Sequence, residues 1–268
     1  MLIFDENNGT VGIDSNGFLE KSELNFEISY IKPENYQDVL EVNHYLNDLY
    51  SEIKVSNKDF IGLFIIESFA KIHRDYQTVI ILVTRGLMSQ AKAVLRTMLE
   101  KLFVLTAVSK EPENYNDWIG TQNVERNRLI RAIKRGDIQP VDIDPSKLTE
   151  NEFTKKVSFS EWADRADMKW DYNVIYRLFS RNVHCTETGY ADDLEIDNEG
   201  EVVAIKIYPD YEEADQTLIL AKRYALISAT IIKPYLSVCD SSDSFQEYQS
   251  FLDDAQNNIK EMANEAAF

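Results

Sequence analysis

Arg177, Ser180, Arg181 and His184 stand in one short stretch, Tyr172-Asn-Val-Ile-Tyr-Arg177-Leu-Phe-Ser180-Arg181-Asn182-Val-His184. Its apolar spacing predicts a helix over Trp170 to Cys185. At about 100° per residue, the step from Arg177 to His184 falls about 20° short of two full turns. Ser180 lies one turn before His184, and Arg181 is close to the same line. One helix face would therefore carry a guanidinium, a hydroxyl and an imidazole. Imidazole is the side chain whose ordinary pKa allows proton transfer near neutrality. A guanidinium beside it can stabilise charge building on a phosphate. The same residues also fit a plainer arrangement, in which His184 caps its own helix end and is held by the helix dipole.

A second set of polar residues sits in the most apolar part of the chain. Arg85, Arg96 and Glu100 interrupt it, and Glu67 interrupts Ile-Gly-Leu-Phe-Ile-Ile-Glu-Ser-Phe-Ala. Arg96 and Glu100, four apart, are neighbours on any helix. Arg85 and Arg96 would share a face if the helix continued through Gly86. Unpaired charges inside a bundle are costly, so these groups either pair or line a wet cleft between helices.

The elements that must position these residues are nearly all helical. Pro33 suits a first helical position before Val39, Leu40, Val42, Leu46 and Leu49, and Asn57 can cap the next helix. From Tyr76 to Val108 the pattern is helical with a break near Gly86. Glu111-Pro112 opens a further helix and Gly136 closes it, followed by a loop over 137–150. Ser158-Phe159-Ser160-Glu161 fits a capping box. Leu194 to Tyr208 alternates around a turn at Asp197 to Gly200, a hairpin signal. Two helices, about Glu212 to Leu236 and Ser244 to Asn264, finish the chain. The expected fold is mainly α, a helical bundle with one small late β-hairpin. Its organisation is an N-terminal extension with one helix (1–56), a bundle core (57–240) and a C-terminal helix packed on the same domain (241–268).

Composition narrows the chemistry. The 268 residues carry 28 Lys and Arg against 46 Asp and Glu, a net charge of −18. From residue 191 onward, 17 acidic and 5 basic residues concentrate that charge. No broad basic face exists to displace counterions, which disfavours non-specific duplex binding but leaves room for a small basic pocket holding one RNA strand. Arg126, Arg128, Arg131, Lys134 and Arg135 form a local basic cluster whose plain reading is a solvated helix face. Cys185 and Cys239 are too few for a disulfide framework or a structural zinc site. His44, His73 and His184 fall in separate predicted helices, so no metal and no cofactor are expected. His73 reads as a polar-face residue beside Arg74, and no Gly-rich phosphate loop is present. The first residues show no basic region before an apolar stretch, and the longest uncharged apolar run, Val79 to Val83, is far too short for a bilayer. The expectation is a soluble cytoplasmic protein without a membrane partner.

Leu82-Val-Thr-Arg-Gly-Leu-Met-Ser-Gln-Ala-Lys-Ala-Val-Leu-Arg96-Thr-Met-Leu-Glu100 is similar to the Arg-x-x-x-Glu helix of a bacterial family of unknown function, DUF5677. Tyr176-Arg177-Leu-Phe-Ser180-Arg-Asn-Val-His184 resembles that family's second signature, Tyr-Arg-x-x-Ser-x-x-x-His. The resemblance covers about residues 57 to 240. Arg177 and His184 also fit the Arg-x(4–6)-His pattern of the HEPN superfamily. Those small helical domains are commonly metal-independent endoribonucleases in toxin, CRISPR and phage-defence systems, and usually act as dimers. Leu178 departs from the polar residue that HEPN nucleases favour after the arginine. The resemblance implies proton transfer by His184, phosphate binding by Arg177 with Ser180 and Arg181 orienting it, and support from Arg96 and Glu100 on the neighbouring helix. It further implies RNA as substrate, a homodimer, and an antitoxin or defence protein as partner. The alternative is a non-catalytic binding module in which the Arg, Ser and His form a polar pocket.

Overall fold

The computed structural model describes residues 31–138, 144–183 and 213–236, the side chains of 181–183 excepted, and four strands: β1 (Leu2–Phe4), β2 (Val11–Ile13), β3 (Leu194–Ile196) and β4 (Val202–Ile205). The fold is mainly helical. β1 pairs antiparallel with β2, and β3 with β4 in the register Leu194 to Ile205. The turn expected at Asp197 to Gly200, Cys185, Cys239 and the C-terminal helix expected over Ser244 to Asn264 lie outside the described residues.

Helix α1 (Pro33–Glu52) begins on the expected proline and buries Val39, Val42, Leu46 and Leu49. Its start is tied to the far end of the chain, because Asp215 Oδ1 accepts from Asn35 Nδ2 at 2.8 Å and from the Lys32 amide at 3.2 Å. Helix α2 (Phe60–Thr84) is capped by Asp59 rather than Asn57, its carboxylate accepting from the Gly62 amide at 2.8 Å. The cap lies at the residue directly before the first helical turn, where its oxygen can reach that amide.

Gly86 takes φ = 67°, and the amides of Gly86 and Leu87 close onto Val83 O and Leu82 O at 3.0 and 2.9 Å. That left-handed residue ends α2 and returns the chain as α3 (Met88–Lys110), which packs back on α2. A face shared by Arg85 and Arg96 needs an unbroken helix, so it does not form: Arg85 is exposed at the break while Arg96 is half-buried. Glu67 is exposed and pairs with Lys71 at 2.7 Å.

Helix α4 (Asn114–Lys134) carries the basic cluster on an exposed face. Arg128 pairs with Glu125 at 2.8 Å, Arg131 with Glu150 at 2.7 Å and Arg135 with Asp137 at 2.9 Å. The extended segment 151–157 lies along α4, held by its polar side chains. Asn127 exchanges hydrogen bonds with Asn151, Asn123 Nδ2 donates to Phe153 O, and Thr121 Oγ donates to Lys155 O. Gly120 allows that approach, since a Cβ there would stand 2.9 Å from the Lys155 amide nitrogen and 2.8 Å from the Phe153 ring.

Helix α5 (Phe159–Arg165) starts on Ser158, whose hydroxyl accepts from the Glu161 amide at 3.2 Å. The other half of the expected capping box gives way to an ion pair of Glu161 with Arg165 at 2.6 Å. Short helix α6 (Lys169–Asp171) runs through a π turn (Tyr172–Tyr176) into α7 (Arg177–Val183). Helix α8 (Ala214–Ile232) packs on α1, α2 and α3 and is buried around most of its circumference. Trp162, Tyr76, Tyr224, Phe69 and Phe103 are the largest fully buried side chains of one continuous core. No helix among the described residues is long and apolar enough to cross a membrane.

His73 is buried, 3% exposed, not on a polar face. Its Nε2 lies 3.0 Å from Asn43 Oδ1 and its Nδ1 3.2 Å from the Tyr50 hydroxyl, which a neutral ring satisfies by donating from one nitrogen and accepting at the other. Burial lowers its pKa to about 4. The unfolded chain protonates this ring near pH 6.5 and the folded chain only near 4, so its contribution to stability is full above about 6.5 and is lost as the pH falls toward 4. The loss reaches about 3 kcal/mol at the acid end. Urea denaturation at pH 7 and 4.5 should show this drop in the wild type and a clearly smaller one in His73→Gln; equal drops would contradict the assignment. Gly120→Ala should cost about 1–3 kcal/mol by overpacking α4 against the 151–157 backbone, and an unchanged urea midpoint would contradict that reading.

Candidate functional site

Arg96 and Glu100 project from α3 toward the π turn, and the residue that meets them is Tyr176. Arg96 Nη2 donates to the Tyr176 hydroxyl at 2.8 Å. That hydroxyl donates to Glu100 Oε1 at 2.9 Å. The two charged groups close the triangle at 3.1 Å. Their side chains are 18% and 19% exposed, so water screens the pair only in part. Arg96 Nε is buried and makes no hydrogen bond. Burial raises the Tyr176 pKa; the Arg96 hydrogen bond opposes this, and the Glu100 carboxylate reinforces it. The phenol therefore stays protonated and donates.

The π turn sets which aromatic faces meet this triangle. Tyr172 and Tyr176 stack with centroids 5.0 Å apart at 17°. The Arg96 guanidinium sits over the Tyr176 ring at 4.9 Å, and that of Arg177 over the Tyr172 ring at 5.7 Å. Phe103 of α3 and Phe159 of α5 flank Tyr176, each with centroids 6.2 Å away. On the other side of the turn, Asp171 is buried, hydrogen-bonds the Arg223 guanidinium of α8, and accepts from the Tyr224 hydroxyl at 3.0 Å. The turn is thus clamped by α3 at one end and α8 at the other.

The structure brings Arg96, Glu100, Arg177 and Ser180 to one region through Tyr176. Arg177 is exposed, and among the described residues its guanidinium has no ion pair, only the Tyr172 ring beneath it. Ser180 is half-buried and its hydroxyl donates to Tyr176 O at 2.7 Å. Its proton is engaged within the helix, so its oxygen is left as an acceptor. The Arg181 side chain and the whole of His184 lie outside the described residues. Among the described residues, no group of three or more His, Cys, Asp and Glu is placed to hold a metal ion.

The partners of two residues that hold this region, Tyr176 and Asp171, were not foreseen from the sequence. Tyr176 stands directly before Arg177, but its partners are 76 and 80 positions away. Asp171 reads as one more acidic surface residue until Arg223 and Tyr224 close on it.

A family described as "Family of unknown function (DUF5677)" matches residues 63–202, just over half of the chain. No curated protein and no solved structure matches it.

If the three groups act as one unit, removing any one should alter the worth of the others. Tyr176→Phe should cost about 1–2 kcal/mol, because it strips a hydrogen bond from each charged partner. A double-mutant cycle with Arg96→Met should give a coupling of at least about 0.5 kcal/mol in urea melts. Additive costs would mean that the triangle is not energetically coupled.

Proposed function

The chain belongs to DUF5677, and from that membership together with the site just described we propose a HEPN-like bundle that cleaves RNA without a metal. The observation that carries the reading is Arg177: an exposed guanidinium, unpaired among the described residues, on a helix that starts at a doubly clamped π turn and leads toward His184. Arg177 would bind the scissile phosphate, with Ser180 and Arg181 orienting it. His184 would take the proton of the ribose 2′-hydroxyl or return one to the leaving 5′-oxygen, a division of roles that two copies of the chain can share. The 2′-oxygen then bonds to phosphorus as the P–O5′ bond breaks, leaving a 2′,3′-cyclic phosphate and a 5′-hydroxyl. Arg96 and Glu100 act as positioning residues, since they reach Arg177 only through Tyr176.

A homodimer suits the same helix. Trp170, Val174 and Leu178 are 42%, 41% and 46% exposed on the face beside Arg177, an apolar stripe that a second copy would cover. Leu178, where HEPN nucleases favour a polar residue, gains a role in that contact. Phage defence or a toxin system, with an antitoxin or defence partner, is the setting that family company suggests.

A second reading, a binding module without catalysis, draws on Ser180, whose proton is held by its own helix. The two readings separate in one assay: a mixed RNA pool, chelator present, product ends analysed. Wild type should leave cyclic phosphates, and Arg177→Ala and His184→Ala should each slow cleavage by about 100-fold or more. Cleavage that survives His184→Ala would remove the nuclease assignment from this site. RNA binding that depends on Arg177 with no cleavage would establish the binding module.

A further inference from the structure

A cavity of about 620 Å³ lies between α2, α3, α4 and the start of α5, within the range of sites for small organic ligands. Its chemistry is divided. Phe64, Trp118, Phe159 and Trp162 contribute aromatic surface. Phe64 and Trp118 lie 4.7 Å apart between centroids, and Tyr115 stacks on Trp118 at 5.6 Å and 26°, so part of this wall is a braced aromatic ladder. Phe159 is 37% exposed.

The cations lining it are not equivalent. Lys71 is held by Glu67 at 2.7 Å, and Lys101 by Asp75. Lys156 has no hydrogen bond or ion pair among the described residues and is exposed. Its backbone is fixed by the contacts of segment 151–157 with α4 through Thr121, and Gly120 permits that approach. Among the described residues, the cavity therefore offers one uncommitted positive charge on a positioned segment. Gln122, likewise without a partner among the described residues, adds an amide that can both donate and accept.

We propose that this cavity binds a nucleotide: an aromatic base against the Trp118 and Phe64 wall, its edge at Gln122, and a single phosphate on Lys156. Aromatic stacking accepts any base, and one ammonium matches one phosphate. The source is either a free mononucleotide or one residue of an RNA strand. Only the second rests on the cleavage reading above. The cavity adjoins the site of that reading, because Glu100 lines it and Phe159 packs on Tyr176. A bound strand could thus place one base here and its neighbouring phosphates near Arg177.

Two of the three tryptophans, Trp118 and Trp162, line the cavity, so occupancy reports through intrinsic fluorescence. The full chain is titrated, in chelator, with the four ribonucleoside monophosphates, their nucleosides, benzoate and a short single-stranded oligoribonucleotide; calorimetry checks each binding event. The expected result is saturable quenching by monophosphates, about tenfold weaker in Lys156→Ala, with nucleoside binding unchanged by that substitution. Lys156 is exposed, and a wild-type melting profile confirms that the variant is folded. Competition between oligonucleotide and mononucleotide assigns the site to a residue of RNA; binding of mononucleotides alone assigns it to a free nucleotide. Absence of saturable binding by any nucleotide, binding indifferent to Lys156→Ala, or benzoate binding as well as the monophosphates would each overturn the proposal. Mononucleotides contain no internucleotide bond, so the result does not depend on cleavage. Binding without RNA cleavage leaves the cavity and removes the nuclease, whereas cleavage without binding does the reverse.

Discussion

Arg96 and Glu100 stand one helical turn apart on a helix whose buried positions are mostly apolar, and neither is well solvated where it sits. Two charges so placed attract each other, but that attraction alone leaves guanidinium donors and carboxylate oxygens without partners. Arg96 Nε stays without a partner, but the Tyr176 hydroxyl supplies one to each charge, accepting from Arg96 Nη2 and donating to Glu100. For its oxygen to arrive there, the helix carrying it must dock on α3 in one rotation. The polar requirement of α3 thereby fixes how the candidate catalytic helix lies, and burial of Ile175, Tyr176 and Phe179 supplies the apolar part of the same contact.

The same stretch of chain also carries the Asp171 contact, and a π turn lies between the two anchors. Asp171 has to reach Arg223 and Tyr224 on α8, while Tyr176, five positions later, has to reach α3. The π turn at Tyr172–Tyr176 adds a residue between these anchors and alters the rotation of α7. Arg177 is the first residue after the widened turn, and both buried polar contacts that anchor the turn, at Asp171 and Tyr176, precede it. Stacking of Tyr172 on Tyr176 then gives the Arg177 guanidinium an aromatic seat at the surface.

The cavity arises from a comparable conflict of packing. Segment 151–157 is extended because its backbone finds partners in the α4 side chains rather than in a strand. Its course over Gly120 holds the start of α5 against α3 and leaves a space roofed by aromatic side chains. The protein's net charge of −18 is not concentrated here, since the lining holds Lys71, Lys101 and Lys156 as well as Glu67, Glu100 and Glu125.

Most of the helices were legible from the sequence, since period and caps are local properties: Pro33, Ser158 and Gly136 each mark a boundary through their own backbone chemistry. Arg96 with Glu100, and Arg177 with Ser180, were also legible, being four and three positions apart in predicted helices. What failed was extrapolation through a residue of unusual backbone geometry. Gly86 at positive φ separated Arg85 from Arg96, and the π turn could not be read from a periodicity that assumes 3.6 residues per turn. His73 looked amphipathic beside Arg74, yet Asn43, Tyr50 and Gln77 satisfy it in the interior. The amino-acid sequence by itself determined most of the described helices and which residue types could do chemistry, because those depend on neighbours a few positions away. Only the tertiary structure decided that Tyr176 joins the two signatures, that Asp171 clamps the turn and that a cavity opens beside Glu100. Those depend on buried polar groups finding partners tens of residues distant, and no local pattern carries that information.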